Sequence, residues 1–253
     1  MLEFLILWLN KVMHKISTSL NINDKSFKLM QKLSPNIDDK VIYVGLKGFS
    51  RYSDDNALSL DEIKELCKSK KVFVALNRVV EFDKIKKVVR ELDCEGFIIN
   101  DLGAIWKIKR DKELDNKTIT SSVGLNPLNY LDIQFLEEIG VDVVVIPPEI
   151  NDEVDCLSKT GNKIKIEAFE FALVEMFYKG KCLLSAYFDG ISVKKSGICT
   201  KRCCRKWNVV MDKTVKSKSF KPKAIKFDVE KADLLKVEGR QFRRYKLKKL
   251  KRR

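Results

Sequence analysis

Short apolar runs rich in β-branched residues alternate with helical patterns along most of the chain. Before residue 170 there are seven such runs, at residues 16–22, 41–46, 72–77, 96–101, 118–123, 142–148 and 163–169. Helical periodicity fills residues 58–70, 81–93 and 127–140 between them. Ser59 and Pro127 are typical helix-start residues, and Gly140 is a typical helix-end residue. This alternation predicts an α/β fold with parallel strands and right-handed crossovers.

An eighth apolar run, at residues 234–239, decides the predicted architecture. Eight strands favour a (β/α)8 TIM-like barrel over an open doubly wound sheet. The first run is a weak strand pattern, and the last run is isolated from the others in the sequence. The prediction therefore includes an irregular barrel. We expect residues 16–240 to form the barrel domain, after an N-terminal apolar helix at 1–15 and before a basic tail at 241–253. The sequence contains neither GxGxxG nor GxxxxGKS, which argues against nucleotide-dependent enzymes of the common types.

The N-terminal apolar run from Phe4 to Val12 is too short to cross a bilayer. Glu3 stands where a signal peptide carries basic residues, and no small-residue cleavage site follows the run. The chain has seven cysteines, an odd number spread over its length, which favours reduced thiols over a disulfide framework. Together these features predict a cytoplasmic protein.

The positive charge of the chain is concentrated in its C-terminal quarter. Residues 194–253 hold 23 Lys or Arg against 5 Asp or Glu, whereas residues 1–193 hold 27 against 30. The last fourteen residues, from Arg240, include nine basic side chains and no acid, at spacings that allow a basic amphipathic helix. Such a segment binds polyanions by neutralising phosphates and releasing counterions. We therefore expect RNA or the ribosome as the first candidate for a binding partner, and an anionic membrane surface as the second. The alternative without a function is a solvated tail that binds neither.

Four of the seven cysteines fall between Gly180 and Trp207. Thiolate is the ligand that zinc and iron–sulfur clusters select, and a C-x3-C loop with one more cysteine can place three sulfurs around one site. The segment therefore predicts a metal site, with a structural role for small apolar residues as the alternative. The four cysteines are Cys182, Cys199, Cys203 and Cys204.

In a parallel barrel, function lies where the strands end, so the polar residues there are the first candidates. Glu167 is the strongest of them, because it lies within an apolar run just before the cysteine segment. Taken singly, each is also explained as a turn or cap residue. The only histidine, His14, precedes the first predicted strand, which argues against histidine acid–base chemistry. The candidates are Asn77, Asn100, Asp101, Ser121, Ser122, Glu149 and Glu167.

Seven segments follow one another in a characteristic order across roughly residues 16–242. They are VIYVGLKGFSRYSDDNALSLDEI, VFVALN, FIINDLGAI, ITSSVGLNPLN, IEAFEFALVEMFYKGKCLLSAYFDG, SGICTKRCCRKW and LLKVEGRQFRR. In this order they resemble peptidase family U32, the collagenase-like protease family. The CLLS-x-Y and G-x-C-x3-C elements are the most specific, and Asn126 and Asn129 match the asparagines of one family segment.

This resemblance implies a barrel-like fold and an oxygen-sensitive four-iron, four-sulfur cluster held by cysteines. Cys182, Cys199 and Cys203 match three of the family's ligand positions, and Cys204 stands where the family usually has arginine. The sequence departs from the pattern where Glu175 replaces the first family cysteine, and where Phe171 and Ala172 replace its His-Gly pair. The fourth ligand therefore stays open among Cys204, Cys67, Cys94, Cys156, Glu175 and a substrate.

Three functions follow from the resemblance. The first is an iron–sulfur enzyme of oxygen-independent hydroxylation that acts on RNA. The second is a peptidase that uses a metal-bound water, with zinc as the alternative metal. The third is a degenerate, non-catalytic subunit that pairs with a complete family homologue. In the first, the basic quarter holds RNA and the pocket is lined by Asn77, Asp101, Asn126, Glu149 and Glu167.

Overall fold

A computed structural model describes the central part of the chain and segments on either side of it. The described residues are 13–17, 37–51, 57–154, 157, 163–174, 182–192, 200, 207–209, 218–220, 223–227, 229 and 232–238. The predicted N-terminal helix, apart from residues 13–15, and the basic tail at 241–253 lie outside them. Among the described helices, none has the length and apolar character needed to span a membrane.

Eight strands pair in parallel. The pairings run in order from β1 through β7, continue from β7 to β11, and return from β11 to β1. The predicted α/β class with parallel strands is confirmed, and the sheet that these strands form is curled. These strands are β1 (Met13–Ser17), β2 (Ile37–Gly45), β3 (Lys71–Leu76), β4 (Gly96–Ile99), β5 (Ile119–Ser121), β6 (Val143–Val145), β7 (Lys165–Val174) and β11 (Leu234–Glu238).

Three further strands lie outside this parallel set. The strand β10 (Lys223–Lys226) pairs antiparallel with the second half of β7. The strands β8 (Trp207–Val209) and β9 (Lys218–Phe220) form a separate antiparallel pair. None of the three was predicted. Each is only three or four residues long, which is too short for an alternating pattern to identify a strand.

The helices follow the strands in the predicted alternation. Within the described residues they are α1 (Leu60–Cys67), α2 (Phe82–Glu91), α3 (Leu102–Ile108), α4 (Tyr130–Glu138) and α5 (Leu184–Asp189). Two 3₁₀ segments, Val123–Leu125 and Pro148–Glu153, follow β5 and β6.

Local capping explains where two of the helices begin and end. Ser59 Oγ accepts a hydrogen bond from the Glu62 N–H at 3.3 Å, and the Glu62 carboxylate accepts one from the Ser59 N–H at 2.7 Å. This reciprocal capping box fixes the start of α1 as predicted. At α4 the cap is Asn129 rather than the predicted Pro127. Gly140 follows the end of α4 at a φ of 98°, which confirms it as the helix-end residue.

Alternate residues of the strands pack on opposite faces of the sheet. Ile42 and Val44 of β2 belong to the large core that includes Ile85 of α2 and Ile105 of α3. Their neighbours on β2, Val41 and Tyr43, pack instead with Phe73 and Ile98 in a separate inner cluster. This two-sided burial explains why the strands read as nearly continuous apolar runs.

The first strand begins earlier than the sequence predicted. β1 spans Met13–Ser17, not 16–22, so His14 lies in the sheet rather than before it. Residues 13–15 likewise belong to β1 and not to the predicted N-terminal helix. The pairing explains the shift, because β1 is placed by its parallel contacts with β11 and β2, which no local pattern records.

Candidate functional site

Polar residues from four successive loops meet where the strands of the parallel sheet end. Arg51, Asn77, Asn100 and Ser122 follow β2, β3, β4 and β5. The carboxyl ends of parallel strands lie at one edge of a sheet, which is where α/β proteins place their ligand sites. The Arg51 N–H donates a hydrogen bond to Asn77 Oδ1 at 2.8 Å and thereby joins the first two loops.

Gly124 brings the fourth loop against the first and third. A Cβ atom at this position would lie 2.5 Å from Asn100 Oδ1 and 3.2 Å from Arg51 Nη1. Any side chain would therefore collide with the amide oxygen of Asn100. Glycine at position 124 allows the backbone to approach both polar groups closely.

Several polar atoms in this region are buried without a hydrogen-bond partner among the described residues. Three of them follow the strand ends: Arg51 Nη1, Asn100 Oδ1 and Asn126 Oδ1. Asn126 also has a left-handed backbone, with a φ of 59°. Buried polar groups are normally satisfied, and unusual backbone conformations gather at functional sites. These observations mark the strand-end edge as the candidate site.

Glu167 lies in a different environment, within a buried network of ionisable side chains. Tyr43 donates a hydrogen bond from its hydroxyl to Glu167 Oε2 at 2.6 Å. Lys236 Nζ lies 3.7 Å from Glu167 Oε1 and 4.3 Å from the centre of the Tyr43 ring. Burial and the adjacent Glu167 carboxylate raise the pKa of Tyr43 well above its usual value. The network joins β2, β7 and β11, and Glu167 is fully buried within it.

The two other predicted carboxylates lie on the surface. Asp101 is the cap of α3, where its Oδ1 accepts a hydrogen bond from the Ala104 N–H at 2.7 Å. Glu149 is exposed on the 3₁₀ segment after β6. Ser121 is buried, and its Oγ accepts a hydrogen bond from the Val145 N–H at 3.2 Å. The structure thus brings Asn77 and Asn100 to the loops around Arg51, and it places Glu167, Asp101 and Glu149 elsewhere.

The sequence reasoning did not identify Arg51, Gly124 or Asn151. Asn151 is buried, and its Nδ2 donates a hydrogen bond to the Phe169 carbonyl at 2.6 Å, which fixes the segment after β6 against β7. A single arginine carries little signal in a chain with 50 Lys or Arg. The available signal was the position of Gly124, directly after a strand and inside the SSVGLN segment.

Of the cysteine segment, Cys182 lies within the described residues, whereas Cys199, Cys203 and Cys204 lie outside them. Cys182 is a half-buried free thiol two residues before α5. The hydroxyls of Ser185 on α5 and Thr200 are hydrogen-bonded at 2.8 Å. Thr200 directly follows Cys199, so this contact ties the chain next to Cys199 to the helix that follows Cys182. In the part of the chain that is described, no three His, Cys, Asp or Glu side chains converge as a metal site.

Cys67 and Cys94 lie near the opposite edge of the sheet. Cys67 is the last residue of α1, and Cys94 shortly precedes β4, where its thiol donates to the Gly96 carbonyl at 3.5 Å. Both therefore lie near the amino ends of the strands, whereas Cys182 follows the carboxyl end of β7. Cys67 and Cys94 therefore lie toward a different edge of the sheet from Cys182.

Cys94 is expected to be an unreactive thiol in the folded chain. Burial, assisted by the nearby Cys67, raises its pKa to about 12. At pH 8 this lowers the thiolate fraction about a thousandfold relative to an ordinary cysteine. Stronger intrinsic nucleophilicity offsets part of that loss, so we expect alkylation by iodoacetamide to be slower by roughly 30-fold or more. Peptide mass spectrometry of the folded and urea-unfolded chain measures the ratio, and equal labelling rates would contradict the assignment.

Comparison with known proteins agrees with this architecture. The model of peptidase family U32 matches residues 26–250. tRNA hydroxylation protein P of Haemophilus influenzae is 26% identical over 162 residues, covering 61% of this chain and 34% of that protein. The Escherichia coli protein of the same name is 26% identical over 147 residues, covering 55% and 32%. This chain thus spans about a third of the length of these curated relatives.

The solved structure of the U32 peptidase Mk0906 shares the fold. It superposes with a TM-score of 0.56 at 11% identity, covering 89% of this chain and 91% of that one. At this identity the likeness concerns the fold alone. The family match covers nearly the whole described sheet, and it agrees with the resemblance of the seven sequence segments. The chain therefore belongs to peptidase family U32.

Proposed function

We propose that this chain is an iron–sulfur protein that acts in the oxygen-independent hydroxylation of RNA, with tRNA as the substrate class. Two relatives named tRNA hydroxylation protein P support the substrate. The charge of the chain also supports it, because residues 194–253 carry 23 basic against 5 acidic side chains. A basic segment of this kind holds nucleic acid by its phosphates and leaves recognition to other residues.

The observation that carries the cluster proposal is the contact between Ser185 and Thr200. It ties the residue after Cys199 to the helix that begins two residues after Cys182. We assign Cys182, Cys199 and Cys203 as cluster ligands, with Cys204, Cys156, Glu175 or a substrate as the fourth. Thiolates of this number and spacing suit an iron–sulfur cluster, which supplies electron transfer when bound.

The remaining residues would bind and orient the substrate at the strand-end edge of a TIM-like barrel. Asn77, Asn100 and Asn126 offer amide groups in the loops around Arg51, and Asp101 and Glu149 add carboxylates on the exposed side. Glu167 would act from within the barrel, where Tyr43 and Lys236 hold its carboxylate. The catalytic roles of Asp101, Glu149 and Glu167 are part of this proposal.

Purification without oxygen tests the proposal most directly. We expect about four iron and four sulfide per chain, with a brown visible absorption band that fades in air. The same protein, incubated with tRNA from a strain lacking the modification, should yield a hydroxylated nucleoside detectable by mass spectrometry. An aliquot exposed to air before assay is the control, because it keeps the chain but loses the cluster.

Three other results would each contradict the proposal. Stoichiometric zinc without iron would favour the peptidase function, with a metal-bound water as nucleophile. RNA binding without cluster or turnover would favour the non-catalytic partner subunit. A metal-free chain that binds no RNA would exclude the proposed enzyme altogether.

A further inference from the structure

The guanidinium group of Arg51 is buried and has no charge partner among the residues that the structure describes. Arg51 is 7% exposed, and no carboxylate among the described residues forms an ion pair with it. Its Nη1 also has no hydrogen-bond acceptor there. Arginine stays charged when buried, and a buried charge without a partner is strongly unfavourable. Within the described residues, no ion pair offsets this cost.

Two of the described carboxylates, Glu167 inside the sheet and Asp101 beside Asn100, have other partners. Glu167 is held by Tyr43 at 2.6 Å and by Lys236 at 3.7 Å. Asp101 accepts a hydrogen bond from the Ala104 N–H as the cap of α3. The internal partner that would make Arg51 a purely structural residue is therefore missing from the described part of the fold.

The surroundings of Arg51 add an acceptor and a glycine that approaches both polar groups. Asn100 Oδ1 is also buried without a donor among the described residues, and it borders Gly124 together with Arg51 Nη1. A side chain at position 124 would cover both atoms, since its Cβ would lie 2.5 Å from Asn100 Oδ1 and 3.2 Å from Arg51 Nη1. Asn77 fixes the Arg51 backbone by accepting its N–H at 2.8 Å. A guanidinium on an anchored backbone, an acceptor without a donor in the described part of the chain and a glycine beside both form a small built site.

We propose that Arg51, Asn100 and Gly124 form an anion-binding subsite at the strand-end edge. It takes a phosphate or carboxylate group, held by the Arg51 guanidinium, on a ligand whose hydroxyl or amino group donates to Asn100 Oδ1. The anion can be a phosphate of the RNA chain or the acidic group of a small co-substrate. This inference deepens the proposed function by assigning the group that anchors a substrate, but its test needs no cluster.

The test compares Arg51→Gln with Arg110→Gln in the full chain. Arg110 is exposed and stacks on Trp106 at 4.3 Å, so its replacement removes the same charge away from the subsite. Calorimetry measures binding of inorganic phosphate, malate and a short single-stranded RNA. We expect saturable binding of at least one probe, weakened about tenfold or more by Arg51→Gln and unchanged by Arg110→Gln.

A thermal melt without ligand separates binding from folding. Arg51→Gln should melt at the same temperature as the unmodified chain or higher, because it removes an unpaired buried charge. A lower melting temperature would reveal an internal partner and overturn the proposal. So would equal affinities in the two variants, or no saturable binding of any probe to the unmodified chain.

The probes distinguish the source of the anion. Competition between phosphate and RNA that requires Arg51 would assign the subsite to the RNA chain, whereas Arg51-dependent binding of malate alone would assign it to a small carboxylate. Iron content reports on the proposed function separately. If a chain without iron binds the anion, the subsite is supported and the cluster is not. If the chain holds its cluster but binds no anion, the cluster is supported and the subsite is not.

Discussion

Glu167→Ala is expected to lower the free energy of unfolding by about 3–5 kcal/mol. The alanine removes the carboxylate that accepts the Tyr43 hydroxyl at 2.6 Å and faces Lys236 Nζ at 3.7 Å. Lys236 is only 7% exposed, so its ammonium would be left buried without its carboxylate. Breaking one side of a buried ion pair costs more than the pair contributes, because the remaining charge stays desolvated. Urea unfolding of the single variant at pH 7 measures the loss.

The double variant Glu167→Leu with Lys236→Met is the control for this interpretation. Apolar side chains of similar size often replace a buried ion pair with little loss, so much of the stability should return. Tyr43 keeps its ring packing against Phe73, whose centre lies 5.2 Å away, but loses an acceptor. If Glu167→Ala costs less than about 1 kcal/mol, or if the double variant is the less stable of the two, the pair does not carry the expected energy.

The sequence predicted the parts of this fold that depend on local patterns. Seven of the eight predicted strand runs match parallel strands in position, and the eighth overlaps β1 at residues 16–17. Ser59 and Gly140 were found because a capping box and a helix-ending glycine are local features. By contrast, α3 was missed because the apolar run FIINDLGAI contains both β4 and the start of the helix. The polar pair Asn100 and Asp101 between them was the available signal.

The arrangement of the candidate site depends on contacts between residues that are far apart in the sequence. Glu167 was selected because it lies within an apolar run just before the cysteine segment, yet its partner Tyr43 is 124 positions away in the chain. Arg51 was missed because two properties of the folded chain mark it as a candidate. They are its burial and the lack of a carboxylate partner among the described residues. Asp101 was selected as a candidate catalytic residue, and the structure gives its carboxylate a capping role that the sequence also allowed.

Cys182→Ala is expected to reduce iron from about four to below one per chain in protein purified without oxygen. The proposed cluster draws its ligands from Cys182 and the segment around Cys199, and a missing thiolate leaves an iron without its ligand. The visible absorption and tRNA hydroxylation should be lost together. The fold should persist, because Cys182 is half-buried at the edge of the sheet rather than in its core. Iron analysis and far-ultraviolet circular dichroism on the same preparation measure both properties.

Cys94→Ala provides the matched control, because it removes a thiol near the amino ends of the strands. Its sulfur packs against the core and has a pKa raised to about 12, so it suits a structural role and not a ligand role. We expect this variant to keep its iron and its hydroxylation activity while losing some thermal stability. Full iron content in Cys182→Ala, or equal iron loss in the two variants, would show that the metal does not depend on the strand-end cysteines. The distinction is sharp because the two thiols differ in position along the sheet, not in residue type.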